Sequence, residues 1–523
     1  MIYRILLFIC MSWAVLIPAK RALHMFQQNR YENGRFIKWM KGNLTGPPIS
    51  GYTVLVLFVL TTAIALLLKE PVSVIVLCVL FVIYGILNFL DEKKKNYIKP
   101  LVYTGRVKRQ IAVMAVLWLL TALPAALMYS KWAFGILAAF CPWLFIFLMA
   151  WITSPIEAAV RQRYLNEAKA ILRDHKDLIR IGITGSYGKT STKNIMQAML
   201  SEHFNSLMTP ASYNTPMGIT RTIREMLKPI HKIFVCEMGA DHVGDITELM
   251  EFVHPQIGVV TSVGPQHLNT FGSQENITKE KMQMIELLPK DGFGILNYDN
   301  EFIRGYTVKN PVETVTYGIR SEDADYRAED ITYTPAGSVF TLVHGDEREQ
   351  IETKLLGELN ILNILSAIAC ARHLGVNWRT IKRASKTMKQ VEHRLELKII
   401  NGYRFIDDAF NANPVGSAMA LDVLSMMPNR RFIVTPGMID LGPKQAEINE
   451  HFGSLMKDKA DVVILVGRTQ TKPIWDGLEK SGFNMDNVLV TDTVKEAFAY
   501  IYQAASREDT ILLENDLPDA FSH

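Results

Sequence analysis

Cysteine is scarce in this chain, with Cys10, Cys78, Cys141, Cys236 and Cys370 the whole complement of 523 residues. None has CxxC spacing and the first three lie in apolar runs, so neither a disulfide framework nor a zinc site is expected. Net charge is also slight, at +4, and the basic excess is local. Residues 20–50 carry Lys20, Arg21, Arg30, Arg35, Lys38 and Lys41 against Glu32 alone. Residues 91–110 carry Lys93, Lys94, Lys95, Lys99, Arg106, Lys108 and Arg109 against Asp91 and Glu92. Both clusters fall between apolar runs, where positive charge marks cytoplasmic loops. Membrane topology explains them better than a nucleic-acid partner does. Charged residues are nearly absent inside the runs, which speaks against a transporter that works through intramembrane charges.

The apolar runs lie at about 2–19, 50–68, 71–90, 111–129 and 132–153. Each is close to the roughly 20 residues that cross a hydrocarbon core. Lys20-Arg21 follows the first run directly and no small-residue cleavage site is seen, so an anchor is favoured over a cleaved signal peptide. The expectation is a five-helix transmembrane domain over residues 1–153 in the cell membrane. It is multi-pass, with the N-terminus outside, both basic loops inside and everything after residue 153 cytoplasmic. RFIKWMKG (35–42) reads either as a surface-lying segment or as an ordinary basic loop. Residues 154–178 read as a charged juxtamembrane helix that begins at Ser154-Pro155.

The soluble remainder reads as α/β. RIGITGSYGKTST (180–192) is a short apolar strand, a glycine turn and the start of a helix. Gly185 and Gly188 let backbone N–H groups approach an anion, and the helix points its positive end at the same place. Lys189 can neutralise phosphate charge and the Thr190 hydroxyl can ligate Mg²⁺. The strict GxxxxGK[ST] pattern is not met, because Ile183 stands where its first glycine would fall. An apolar strand ends in Glu237, well placed for a divalent cation. Strands near 431–435, 461–466, 487–490 and 509–513 alternate with helices, which predicts a parallel sheet.

TGSYGKTST (184–192) resembles the Mur ligases, ATP-dependent enzymes that join a carboxylate to an amino acid or dipeptide. The resemblance runs from about 180 to 510, through SYNTPMGITRTIRE (212–225), HKIFVCEMGADHVGDI (231–246), GILNYDNE (294–301), LLGELNILNILSAIACARHLGV (355–376), FIDDAFNANPVGS (405–417) and PGMIDLG (436–442). It implies a central P-loop ATPase domain over 179–395 and a C-terminal Rossmann-like domain over 396–523. It implies ATP and two Mg²⁺ ions as cofactors. It places Gly185, Ser186, Tyr187, Gly188, Lys189, Thr190, Ser191, Asn297, Arg394, Asp408 and Asn411 on the nucleotide. Thr190, Glu237, His267 and a carbamylated Lys281 would hold or orient metal, with Lys279 the competing position for the carbamate. Lys189, Glu237, His267 and Lys281 form the implied catalytic set.

Two departures stand out. The membrane runs occupy the place of the family's domain for the UDP-linked substrate. Near the C-terminus, ILLENDLPDAF (511–521) is acidic where the nearest relatives carry a K-G-S-R-like cation. Both fall on substrate recognition. The implied reaction is therefore clearer than its substrates: a carboxylate-bearing envelope precursor and an amino acid or dipeptide, joined through an acyl phosphate. The precursor would be a UDP-muramoyl peptide or a lipid-linked glycan, with membrane lipid as a further partner.

Overall fold

The structure, a computed structural model, describes residues 2–46, 49–95, 97, 100–131, 133–266, 268–334, 337–390, 393–409, 413–439, 441 and 444–515. It divides into two compact units, residues 1–163 and 164–523.

Among the described residues of the first unit, four helices are long and apolar enough to cross a membrane: Ile2–Gln28, Val72–Lys94, Gly105–Leu127 and Cys141–Asp174. Four of the five expected spans are thus matched by helices of that length. The run at 50–68 forms the 17-residue helix Gly51–Leu67. At ~1.5 Å per residue it spans about 26 Å, short of the ~30 Å core. The run at 132–153 is divided between a short helix, Ala133–Ala139, and the start of the next, at Cys141. That second helix passes straight through Ser154-Pro155 to Asp174, so no new helix begins there. Pro155 removes one N–H and one backbone bond, a local loss that a 34-residue helix absorbs. The segment 35–42 is helical (Asn33–Gly42), and it buries Phe36 completely.

Ion pairs fix how the first two of these long helices run. Arg4 meets Glu70 at 2.7 Å, and Arg21 meets Asp91 and Glu92 at 2.7 and 2.8 Å. Early residues pair with early ones and late with late, so Ile2–Gln28 and Val72–Lys94 lie parallel. Arg21 is almost fully buried inside its helix, a charge tolerated because carboxylates meet it.

The second unit is built on two sheets. The first has nine strands, in the order Ser206–Met208, Ile233–Glu237, Ile179–Thr184, Ile257–Val260, Phe293–Asn297, Glu313–Gly318, Tyr326–Thr334, Gly337–His344 and Glu347–Thr353. The first seven pair in parallel and the last two are added antiparallel. Successive residues supply opposite faces: Ile181, Ile183, Val235, Val259 and Ile295 enter one core, while Phe234, Cys236, Val260 and Leu296 enter another. Both faces are covered, which is the condition a parallel sheet needs. The chain leaves the central strand Ile179–Thr184 toward one edge and later returns to its other side. Such a reversal opens a crevice at the carboxyl ends of the strands.

The second sheet has six strands, in the order Glu396–Ile400, Tyr403–Asp408, Thr510–Glu514, Arg431–Thr435, Val462–Val466 and Val488–Thr491. All pair in parallel except the hairpin of the first two. The four strands expected from the alternation are present at nearly the expected positions.

Candidate active site

The glycine loop follows the central strand and opens the helix Lys189–Ser201. Its two glycines are required by geometry. Gly185 has φ +148°, and a Cβ there would lie 2.2 Å from Thr261 Oγ1. Gly188 has φ +81° at the helix N-cap, with Asn363 Oδ1 3.0 Å from a would-be Cβ.

The loop is braced from below by a segment the sequence reading passed over, Thr261–Gly264. Ser186 N donates to Ser262 O (2.7 Å) and Tyr187 N to Ser262 Oγ (2.9 Å). Thr261 Oγ1 donates to Tyr187 O (2.5 Å), and Ser186 Oγ to Gly264 O (3.0 Å). The N–H groups of Ser186 and Tyr187, expected on the nucleotide, are therefore spent inside the protein. Tyr187 is a packing residue: it is 8% exposed, burial pushes its hydroxyl up to about 12, and a Cβ on Gly264 would sit 2.8 Å from its ring. What remains for an anion is the first turn of the helix, where Lys189, Thr190 and Ser191 have N–H groups without intrahelical acceptors. Lys189 Nζ folds back onto Gly185 O (2.5 Å) and Ser186 O (3.0 Å). Burial lowers it to about 8, with Glu237 acting in the opposite sense.

Glu237 ends its strand beside the loop and is 1% exposed. Its Oε1 accepts from Asn214 Nδ2 at 3.0 Å, so the segment that begins at Ser212 reaches the site. Its Oε2 accepts no hydrogen bond and faces Lys193 Nζ at 3.2 Å. Lys193 is fully buried and also donates to Ala211 O (2.5 Å). The sequence reading missed it. One signal was present: Lys193 stands three residues before Met196, on the apolar face of an amphipathic helix.

Lys281 and Lys279 separate cleanly. Lys279 is 62% exposed and pairs with Glu275 one turn away at 2.7 Å. Lys281 is 2% exposed, donates to Ala240 O (3.2 Å) and lies 5.7 Å from the Phe271 ring centroid. Burial, reinforced by the Lys189 charge, lowers its ammonium to about 7. Between them Glu280 is buried and caps the helix Asp245–Val253, accepting from Gly244 N (2.8 Å) and Ile246 N (2.7 Å).

Asn297 reaches the strand ends with its amide already used. It donates to Thr261 O (2.8 Å) and accepts from Asp299 N (3.0 Å), an Asx turn that ties neighbouring strands. Asn363 is nearer the loop: it accepts from Thr192 Oγ1 at 2.9 Å, and its buried Nδ2 has no acceptor.

Arg394 is brought toward the loop. Glu237 and Asp408 act on it, it acts on Lys189 and Lys193, and burial lowers its pKa. Asp408 accepts from Leu395 N (3.1 Å) and stands in register with Glu514 on the neighbouring strand. Glu514 occupies the acidic C-terminal departure. It is fully buried and accepts from Ser417 Oγ at 2.6 Å. Burial raises both carboxyls; the Asp408 charge raises Glu514 further, whereas hydrogen bonding from Leu395 N and the Arg394 charge pull Asp408 back down. Asp407 is structural, bonded to His393 Nδ1 and Lys398 Nζ, each at 2.8 Å. Asn413 caps the helix Pro414–Ser425. His267 and Asn411 lie outside the described residues.

Together these features define an α/β protein with a cationic anion cradle at the carboxyl ends of a parallel sheet, followed by a second α/β domain. Residues 183–371 match the Mur ligase middle domain, and residues 393–514 match the Mur ligase glutamate ligase domain. The chain is 30% identical over 339 residues to a UDP-N-acetylmuramoylalanine--D-glutamate ligase of Caldicellulosiruptor bescii, covering 64% of this chain and 69% of that one. It is also 30% identical over 291 residues to the UDP-N-acetylmuramoyl-tripeptide--D-alanyl-D-alanine ligase of Escherichia coli, covering 55% of this chain and 64% of that enzyme's length. Among solved structures, the MurF ligase of Thermotoga maritima in complex with ADP shares the fold. Its TM-score is 0.62 at 23% identity, over 69% of this chain and 81% of that one. The chain belongs to the Mur ligase family.

Proposed function

We propose that this protein is an ATP-dependent, ADP-forming carboxylate–amine ligase of cell-envelope synthesis, held at the membrane by its first unit. The observation that carries the reading is the convergence of Lys189, Lys193, Glu237, Lys281 and Arg394 on one loop braced by Thr261–Gly264. The helix N-terminus and Lys189 would hold the β- and γ-phosphates, making the loop a P-loop in function. A polyphosphate beside Lys189 restores the charge that burial weakens. Arg394 would reach the same phosphates from the start of the C-terminal domain.

The residues fit a divalent cation: the Glu237 Oε2 lone pairs are buried and accept no hydrogen bond. Thr190, Glu237 and Lys281 as a carbamate, with His267, would hold Mg²⁺ at two positions. Bound there, Mg²⁺ would neutralise charge developing on the transferred phosphoryl group. Lys281 suits carbamylation because CO₂ adds to a neutral amine, and burial supplies that form near pH 7. The buried, exchange-ready amine favours Lys281 over the ion-paired Lys279. The chain's residues would align a substrate carboxylate with the γ-phosphate. The acyl phosphate so formed would be attacked by an amine, releasing phosphate.

The names of the relatives support a UDP-muramoyl tripeptide and D-alanyl-D-alanine as the substrates. Parallel packing of Ile2–Gln28 and Val72–Lys94 requires an intervening return, which Gly51–Leu67 would supply. That gives five passes, with the N-terminus outside and the catalytic domains cytoplasmic. Depleting the protein and measuring the nucleotide-sugar pool by mass spectrometry tests the reading. UDP-muramoyl tripeptide should accumulate. An unchanged pool of both nucleotide-linked and lipid-linked precursors would overturn it.

A further inference from the structure

The segment that presents Arg394 has an unusual backbone. His393 and Leu395, on either side of it, are both left-handed, with φ +57° and +48°. A leucine rarely adopts such a conformation, and strain of this kind persists where surrounding bonds enforce it. Here carboxylates enforce it. His393 N donates to Glu396 Oε2 (3.0 Å), and His393 Nδ1 lies 2.8 Å from Asp407 Oδ2. Leu395 N donates to Asp408 Oδ1 (3.1 Å). Arg394 is held between two pinned neighbours, where Glu237 acts on it and it acts on Lys189.

Asp408 is backed in turn by Glu514. The two stand in register on adjacent parallel strands, and their carboxyl groups are in hydrogen-bond contact. Two carboxylates are acceptors only, so this contact needs a proton. The other partners decide where it sits. Asp408 has an amide donor in Leu395 and a cation in Arg394, and both favour its ionised form. Glu514 has neither. It is fully buried, its Oε1 accepts from Ser417 Oγ at 2.6 Å, and its Oε2 receives no donor. Burial without a cation favours the neutral acid. Burial and the Asp408 charge accordingly raise Glu514 well above the usual carboxyl range. Among the described residues, the other titratable groups around the pair are Asp407, with His393 and Lys398 that meet it, and Glu396, which also meets Lys398.

We propose that Glu514 is a positioning residue for Arg394: as the neutral acid it donates a hydrogen bond to the Asp408 carboxylate, and Asp408 pins the strained segment His393–Leu395. Ser417, Glu514, Asp408 and Leu395 form one hydrogen-bonded line from the helix Pro414–Ser425 to the residue beside the arginine. The proton stays on Glu514 and takes no part in bond making or breaking. The role of Glu514 rests on the reading of Arg394 as a phosphate-binding residue, whereas its protonation does not.

The test uses the full-length protein in detergent. It compares wild type with Glu514→Gln, which keeps a donor and an acceptor, and with Glu514→Ala, which keeps neither. Infrared difference spectra at about pH 8 should show a protonated-carboxyl band in wild type that Glu514→Gln lacks. Absence of that band would overturn the proposal. The thermal transition is the second readout. A carboxyl raised in the folded state contributes stability that is full below its unfolded range and is lost as pH rises through its folded value. Glu514→Gln should therefore gain on wild type by a few degrees between about pH 5 and pH 8. A difference that does not change with pH would also overturn it. Equilibrium titration with ATP reads the position of Arg394. Glu514→Ala should weaken binding about three- to tenfold, and Glu514→Gln less than about twofold. In an Arg394→Ala background Glu514→Ala should cost nothing further. Equal losses in the two Glu514 variants, or an undiminished loss in that background, would take the positioning role from Glu514 alone. A wild-type protein that binds no ATP would overturn the reading of the whole site and this role with it.

Discussion

In residues 1–163 the few carboxylates are met by close arginine pairs, whereas around the glycine loop buried cations gather about carboxylates they share. Arg4, Arg21 and Arg109 each have a carboxylate at 2.7–2.8 Å. Around the loop, Lys189, Lys193, Lys281 and Arg394 share the fields of Glu237, Asp241 and Asp408, and burial lowers all four. Paired charge holds helices together. Unbalanced buried charge costs stability and persists where a ligand of opposite sign completes it.

The comparison breaks most visibly at Lys189. Lys189→Ala should lower ATP turnover by about 10³-fold or more while leaving the fold intact, because the group works on phosphate charge. Phosphate release measures this, and near-normal turnover would remove Lys189 from the site. Lys193→Met probes the one tight pair in the cradle. It leaves Glu237 buried without its cation and should cost about 3–5 kcal/mol in denaturant unfolding. A loss below about 1 kcal/mol would mean the pair is not coupled as the geometry indicates.

Lys281→Ala should lower turnover by about 10²-fold, and Lys279→Ala should not. The wild-type enzyme should also lose rate as pH falls below about 7, because the amine that takes up CO₂ becomes protonated. Added bicarbonate should recover part of that loss, and a rate indifferent to CO₂ would exclude the carbamate. Smallest of all, Gly188→Ala should cost about 1–2 kcal/mol from its left-handed backbone and weaken nucleotide binding through crowding of Asn363. Calorimetry reads the first effect and a nucleotide titration the second.

The strongly patterned parts of this architecture were legible in the sequence. The strands near 431–435, 461–466, 487–490 and 509–513 announced the parallel pairing of the second sheet, and the strand, glycine turn and helix at 180–192 are present as read. Other parts were not. The strands Tyr326–Thr334 and Glu347–Thr353 are rich in charged residues, which dilutes the apolar signal of a buried strand. Thr261 and Ser262 look like any polar turn until their hydroxyls meet the glycine loop. Ser154-Pro155 mimicked a helix start, because local sequence does not report that flanking residues keep a long helix continuous. Lys193 was hidden because a lysine in a sequence reads as solvated, and only packing shows that it is not.

Glu280 and Lys281 are consecutive on one helical turn, and Glu280 is clamped to the backbone of Gly244 and Ile246. The wall carrying Lys281 and the wall formed by residues 240–253 are thereby riveted into a single mechanical part. Warming cannot loosen one without the other, so loss of catalysis on heating should coincide with melting of the whole domain and not run ahead of it.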